Sequence, residues 1–356
     1  MLFAIIHIKY LYKNQRLYPA FGNHVVINLR KRRYRCRACG KRFYEKNDWL
    51  PRYHRMTNRL SAYVIDKLRE TRTFTSVSKE VNMSISTVIR IFDLVSYSNK
   101  SLPEVVGIDE FKGNTGRDKY QCIITDIKNG RVLDILPTRY KHELFSYFKC
   151  FDRSGTTHFV SDMWETYKDV SSTFFKNAVF IVDKYHYIRQ VFWAFEAIRK
   201  EEQKKYCKEN RLLFKRSKRL LTKQYEYLTP DEKQTVDYIL YISDPLLHAH
   251  CLKEDFYKIL KCKDRESSKK MLSDWILYAQ DSGIARFAAC ANTFINWSDG
   301  ILNSFTCPYT NGFTEGCNNK IKVLKRTAYG YRNFKRFKNR ILHVFSDKNI
   351  QKSEAV

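Results

Sequence analysis

The chain has 356 residues, enough for two or three domains and a sizeable core, and its 44% hydrophobic content excludes a disordered polymer. Lys and Arg number 65 against 37 Asp and Glu, a formal net charge of +28 that solubility does not require, so a polyanionic partner is expected, nucleic acid first and an anionic membrane surface second. No apolar run reaches the roughly 18 residues of a membrane-spanning helix. The opening "MLFAIIHI" has no bases before it and no small-residue cleavage site, so the ten scattered cysteines read as reduced thiols of a cytoplasmic protein.

Residues 1–57 form a basic segment with no acid before Glu45. "RKRRYRCRACGKRF" sets eight bases around Cys36 and Cys39. Two thiols on a tight knuckle, with Gly40 relaxing the backbone, look like half a zinc ribbon. A structural zinc site needs four ligands, and His24 and His54 are the remaining candidates, at spacings that match no known signature. The alternative is a basic strand–loop–strand with two free thiols.

Residues 58–102 read as helices. Leu60, Val64 and Leu68 have helical spacing. A short helix from about Thr75 to Val81, a turn at Asn82-Met83 and a second helix capped by Ser84 or Ser86 make a helix-turn-helix pattern. Val88, Ile91 and Val95 face inward. Ser86, Thr87 and Arg90 face outward, where they would read DNA in the major groove.

Pro103 opens a new domain, 103–356. Strands are expected at "VVGID" (105–109), "KYQCIITDI" (119–127) and "RVLDILP" (131–137), the last two joined by an Asn129-Gly130 hairpin. A helix over 141–151 follows, then a strand at "THFVSDM", a helix at "ETYKDVSSTFF" and a strand ending at Asp183. Three antiparallel-type strands, helix, strand, helix, strand is the ribonuclease-H-like order of an α/β layer architecture. Charge-rich helical segments over about 190–297 read as a large insertion.

Asp109 and Asp162 stand at the carboxyl ends of strands, where sites gather in open α/β sheets. Near the C-terminus "NGFTEGCNNKIKVLKRTAYGYRN" holds Glu315 as its one acid. On a helix from about Thr314, Asn319, Lys322 and Arg326 fall within about 40° of Glu315, and Ile321, Leu324 and Ala328 on the opposite side. That fits one metal ligand followed by a phosphate track, with Lys320 and Lys325 as further contacts. Tyr329 and Tyr331 suit packing or stacking on an unpaired base. The bland alternatives are helix caps for the aspartates and a solvated helix for Glu315.

"VVGIDEF", "VSDMWETY", "VDKYHYIRQ" and "TNGFTEGCNNKIKVLKRTAYGYRNFKRFKNRIL" resemble the motifs of DDE transposases of the ISL-three insertion-sequence family, over roughly residues 20–345. The resemblance implies a DNA transposase with Asp109, Asp162 and Glu315 as catalytic and metal-binding residues and two Mg²⁺ (or Mn²⁺) ions. It implies terminal inverted repeats and target DNA as duplex partners, a homo-oligomer on DNA and a nucleoid-associated location. Asp183 and His186 match a neighbouring motif and are auxiliary at most; by themselves they read as strand-end structure. "YRCRACGKRF" resembles the end of the family's zinc ribbon, whose earlier cysteine pair has no counterpart in "MLFAIIHIKYLYKNQRLYP". A non-catalytic DNA-binding repressor derived from a truncated transposase is the alternative. A peripheral membrane role would need a basic helix with a large apolar face, and the basic segments are interleaved with Asn, Gly and Tyr.

Overall fold

The computed structural model describes residues 5–50, 55–99, 101–115, 118–262 and 264–346. It is a mixed α/β chain with two sheets and many helices. None of the described helices is long and apolar enough to cross a membrane. The chain groups into two compact units, one of Met1–Asn99, Lys112–Gln121 and Asn318–Val356, the other of Lys100–Phe111 and Cys122–Cys317.

In the first unit β1 (Ile5–Arg16), β2 (Val26–Cys36) and β3 (Arg42–Tyr44) form an antiparallel sheet. No residue of β2 or β3 is fully buried, so these strands are a basic ribbon without a core of their own. The turn after β2 closes with Gly40 N donating to Cys36 O at 3.0 Å, and Gly40 has φ +67°. Left-handed backbone favours glycine there.

Next come α1 (Asn58–Lys67), α2 (Phe74–Glu80) and α3 (Ile85–Phe92). Thr57, Thr73 and Ser84 cap them by accepting backbone N–H bonds. Leu60, Val64, Leu68, Val77, Val88, Ile91 and Phe92 make their shared core. Asn82, at φ +49°, turns the chain between α2 and α3. The expected helix-turn-helix is present at its expected place.

The sequence pattern did not reveal that α15 (Phe334–Phe345) completes this core. Arg340, fully buried, donates from Nη2 to Glu70 O and Arg72 O, both at 2.7 Å. Asn339 Nδ2 donates to Val95 O, and Arg336 forks onto Asp93, the C-cap of α3, at 2.9 and 2.8 Å. His343 lies between Ile65 O (2.6 Å from Nε2) and Tyr97 OH (2.5 Å from Nδ1). A carbonyl at Nε2 requires the proton there, so Nδ1 accepts from Tyr97. Burial pushes His343 down to about 4, which keeps the ring neutral.

β4 (Val105–Thr115), β5 (Asp118–Asp126), β6 (Arg131–Leu136), β7 (His158–Ser161) and β8 (Val179–Val182) give a second sheet of order β6-β5-β4-β7-β8, of which residues 112–121 group with the first unit and the rest with the second. β4, β7 and β8 are parallel, and β5 and β6 antiparallel. β4 runs past the expected end at Asp109, on to Thr115. Val106, Ile108, Ile124 and Phe159 pack under α4 (Lys141–Lys149) and α5 (Glu165–Phe174) through Leu144, Phe148, Tyr167 and Val170.

A helical block follows, without strands among the described residues: α6 (Lys184–Glu202), α7 (Lys208–Arg216), α8 (Lys218–Thr222), α9 (Pro230–Tyr241), α10 (Asp244–Leu260), α11 (Arg265–Asp281), α12 (Ala285–Asn296) and α13 (Ser298–Thr306). Phe195, Phe256, Trp275, Phe287 and Phe294 fill its core. Gly300 lets α13 approach β8, since a Cβ there would lie 2.7 Å from Val182 Cγ2. The last helix before α15 is α14 (Gly312–Thr327).

Arg340→Met keeps the apolar stem but ends short of the guanidinium, and deletes both carbonyl bonds. We expect the α1–α3 core to lose about 2–4 kcal/mol, because two buried acceptors lose a charged donor. Amide exchange should accelerate in α1 and α3 and stay unchanged in α6 and α12.

Candidate active site

The parallel ladder aligns Asp109 with the two aspartates that follow β7 and β8. Val105 pairs with His158 and Gly107 with Val160, an offset of 53 positions (158 − 105). Carried two residues further, the same offset sets Asp109 opposite Asp162. β7 pairs with β8 at an offset of 21 (179 − 158), which sets Asp183 next in the row. Period-two alternation assigns the face. Val106 and Ile108 point to α4 and α5, so Val105, Gly107 and Asp109 point the other way, where Val105 meets Val160 and Ile181. Gly107 is needed for the close approach of β5: a Cβ there would lie 2.5 Å from Thr125 Oγ1 and 2.7 Å from Ile127 Cδ1.

The two carboxyls interact directly. Asp109 is pushed up to about 8, first by burial and next by the charge of Asp162. Glu110 N donates to Asp109 Oδ1 at 2.6 Å, which works in the opposite direction. Asp162 Oδ1 is buried, and His186 Nε2 lies 2.9 Å from it, out of line for a hydrogen bond. Arg189 Nη2 reaches His186 Nδ1 at 3.4 Å.

Asp183 has a structural task. Its Oδ2 caps α6 by accepting from Tyr185 N at 3.2 Å, and its Oδ1 accepts from Asn311 N at 2.9 Å. Asn311 Nδ2 in turn donates to Ile108 O, one residue before Asp109, at 3.1 Å. Thr314 Oγ1 meets Thr125 Oγ1 at 2.8 Å. These bonds fasten the first turn of α14, which carries exposed Glu315, to the same sheet. Asp109 and Asp162 are therefore together and the Glu315 turn is tied beside them, yet no three His, Cys, Asp or Glu side chains among the described residues are grouped to hold a metal ion.

His186 Nε2 stands beside Asp162 Oδ1, a proximity that its reading as strand-end structure did not include. Arg139 and Trp164 carried no signal beyond residue type. Arg139 pairs with Glu110 Oε2 at 2.5 Å and lies 4.2 Å from the Trp164 ring centre.

On α14, Thr314, Cys317, Asn318, Ile321 and Leu324 are buried, whereas Glu315, Asn319, Lys320, Lys322 and Arg326 are exposed, and Ala328 is half-buried beyond the helix end. Lys322 Nζ donates to Asn319 Oδ1 at 3.1 Å, and Lys325, half-buried, donates to Lys112 O. Tyr329 is fully exposed, and Tyr331 stacks on Phe337 at 4.6 Å. On α3, Ser86 and Arg90 are exposed, and Thr87 Oγ1 accepts from Arg90 Nη2 at 3.4 Å. Cys36 and Cys39 are free thiols on the turn after β2. His54 lies outside the described residues.

Residues 106–341, a span holding Asp109, Asp162 and Glu315, match the ISL3 DDE family described as "Transposase". Residues 45–96 match the "Helix-turn-helix domain of transposase family ISL3". A Bordetella parapertussis protein named transposase for insertion sequence element IS1001 is 26% identical over 341 residues, covering 92% of this chain and 83% of that protein. The Mycobacterium tuberculosis transposase for insertion sequence element IS1557 is 24% identical over 256 residues, 64% of this chain and 56% of that protein. A Lactococcus lactis protein named ATP-dependent protease is 35% identical over 111 residues, 31% of this chain and 34% of that protein. The family generally uses divalent metal ions, and its helix-turn-helix binds DNA. The chain belongs to the ISL3 family of DDE transposases, enzymes that cleave and transfer DNA strands.

Proposed function

We propose that Asp109, Asp162 and Glu315 are the catalytic carboxylates of this transposase, on a ribonuclease-H-like core. In this reading it cuts DNA at the terminal repeats of its element and joins the freed 3′ end to target DNA. The observation that carries the reading is the direct interaction of Asp109, within β4, with Asp162, just past the end of the adjacent parallel strand β7. The strand order and the mix of parallel and antiparallel pairs support the core assignment.

The donor chemistry fits Mg²⁺ or Mn²⁺. Hard cations take carboxylate oxygens, and a carboxyl pushed up to about 8 by burial and a like charge is relieved by a cation beside it. Two such ions held by Asp109, Asp162 and Glu315 would supply Lewis-acid stabilisation and a more acidic attacking hydroxyl. For zinc, Cys36 and Cys39 would be two of four ligands, and the described residues bring no third to them, so no role is derived through zinc.

The bond changes are two in-line displacements. Water oxygen bonds to phosphorus as the bond to the 3′ oxygen breaks, and that oxygen takes a proton to become a 3′-hydroxyl. This hydroxyl then loses its proton and bonds to a target phosphorus, displacing the target's own 3′ oxygen. Asn311 and Asp183 hold the Glu315 turn, and His186 sits beside Asp162. Asn319, Lys320, Lys322, Lys325 and Arg326 contact phosphates, and Ser86, Thr87 and Arg90 read base edges. Joining two element ends calls for a homo-oligomer on DNA.

Asp109→Asn, Asp162→Asn and Glu315→Gln should each abolish Mg²⁺-dependent nicking of a terminal-repeat duplex while leaving duplex binding within about twofold; any one variant that nicks at the wild-type rate removes that residue from the set. Arg90→Ala should weaken terminal-repeat binding roughly 5- to 100-fold and leave binding to an unrelated duplex much less affected, as a base contact requires.

In EDTA, Asp109 has a folded pKa of about 8, above its unfolded value of about 4. The folded state keeps a proton that the unfolded state has lost across that window, so this group's stabilisation is full below about pH 4 and is lost as pH rises through 8. Wild type in EDTA should melt lower at pH 8.5 than at pH 6, and Asp109→Asn should flatten that difference. Mg²⁺ should raise the wild-type melting temperature at pH 8.5 more than that of the variant.

A further inference from the structure

We infer that two aromatic–guanidinium stacks flanking the carboxylate pair bind an unpaired nucleotide of the DNA beside the phosphodiester that reacts. The inference rests on the active-site reading above. One stack lies on α6, where Tyr185, Arg189 and Trp193 recur every four residues and share a helix face. Both rings are 55% exposed, and Arg189 Cζ lies 4.5 Å from the Trp193 centre and 5.2 Å from the Tyr185 centre. Arg189 touches His186, which touches Asp162, so this stack starts at the carboxylates. The other stack is Trp164, 39% exposed and two residues after Asp162, with Arg139 against it. Arg139 also pairs with Glu110, the neighbour of Asp109. A continuous rim thus runs from each carboxylate to an exposed tryptophan.

The fold does not require these rings. The core of the helical block is filled by Trp275, Phe256 and Phe294, and surface cation–π pairs add little stability. Arg189 Nε is buried without a hydrogen-bond partner, so the chain by itself leaves this donor unsatisfied. A guanidinium offers planar donors to phosphate, and an indole offers a face to a base. Inside a duplex both faces of each base are already stacked. The nucleotide that matches this rim is therefore unpaired, as at a frayed or nicked end.

The test uses the full chain and two DNA probes of one sequence: a blunt 30-base-pair duplex, and the same duplex with a three-nucleotide single-stranded overhang carrying 2-aminopurine, both in Ca²⁺. We expect the overhang probe to bind roughly 10-fold tighter, with quenched 2-aminopurine fluorescence, the size that one or two base–ring stacks give. Trp193→Ala and Trp164→Ala should bring the ratio towards one with blunt-duplex binding unchanged, which also shows the variants folded. Trp193→Phe should keep most of the preference. Equal wild-type affinity for both probes overturns the proposal, as does a ratio that Trp193→Ala leaves unchanged. Loss of self-association in Trp193→Ala at an unchanged ratio also overturns it, and assigns the rings to a protein partner. Asp109→Asn separates the two readings: nicking lost with the overhang preference kept supports both, while nicking kept with the preference kept refutes only the carboxylate assignment.

Discussion

The parallel pairing of β4 with β7 is the constraint on which the site depends. Once Val105 faces His158, the register leaves no freedom: Asp109 and Asp162 emerge opposite each other. Two carboxylates in a partly buried cleft repel, and the chain by itself answers by holding a proton on Asp109. Such an arrangement gains nothing for stability. It makes sense where a cation belongs, in a protein whose family acts on a polyanion. Gly107 shows how closely the register is enforced, because the neighbouring strand occupies the space of any side chain two positions before Asp109.

Around that pair the polar residues divide into tasks. Asp183, third in the row of aspartates, is used up by α6 and by Asn311. Asn311 converts strand geometry into helix placement by bonding the carbonyl just before Asp109. The net charge of +28 is divided too. Lys322 and Arg326 stay exposed on the Glu315 face, whereas Arg336 and buried Arg340 are struts for the helix-turn-helix. A basic stretch that reads in sequence as one DNA-binding run is thus partly a framework for the reading helix.

Much of this was legible from periodicity and caps. The buried strands declare themselves as apolar runs, and Val88, Ile91 and the Ser84 cap outline α3 before any coordinates. The helix of Glu315 was legible because Ile321 and Leu324 mark its buried side. What stayed hidden depends on long-range contacts. The bonds of α15 to α1–α3 span some 240 to 280 positions, and a buried Arg340 looks in sequence like any surface arginine. His186 was read as strand-end structure because its link to Asp162 exists only after β7 and β8 pair. Strand β4 outran its expected end because "EFKGNT" extends only with β5 alongside, a tertiary choice that local propensity does not report.

The central claim is that Asp109, Asp162 and Glu315 share bound metal. Fe²⁺ in place of Mg²⁺, with ascorbate and peroxide, cleaves backbone within a few ångströms of the ion. The account predicts three sets of cuts, near residues 109, 162 and 315, all suppressed by excess Mg²⁺ and all lost in Asp109→Asn. Cuts near 109 and 162 with none near 315, on protein bound to its terminal-repeat DNA, would contradict it.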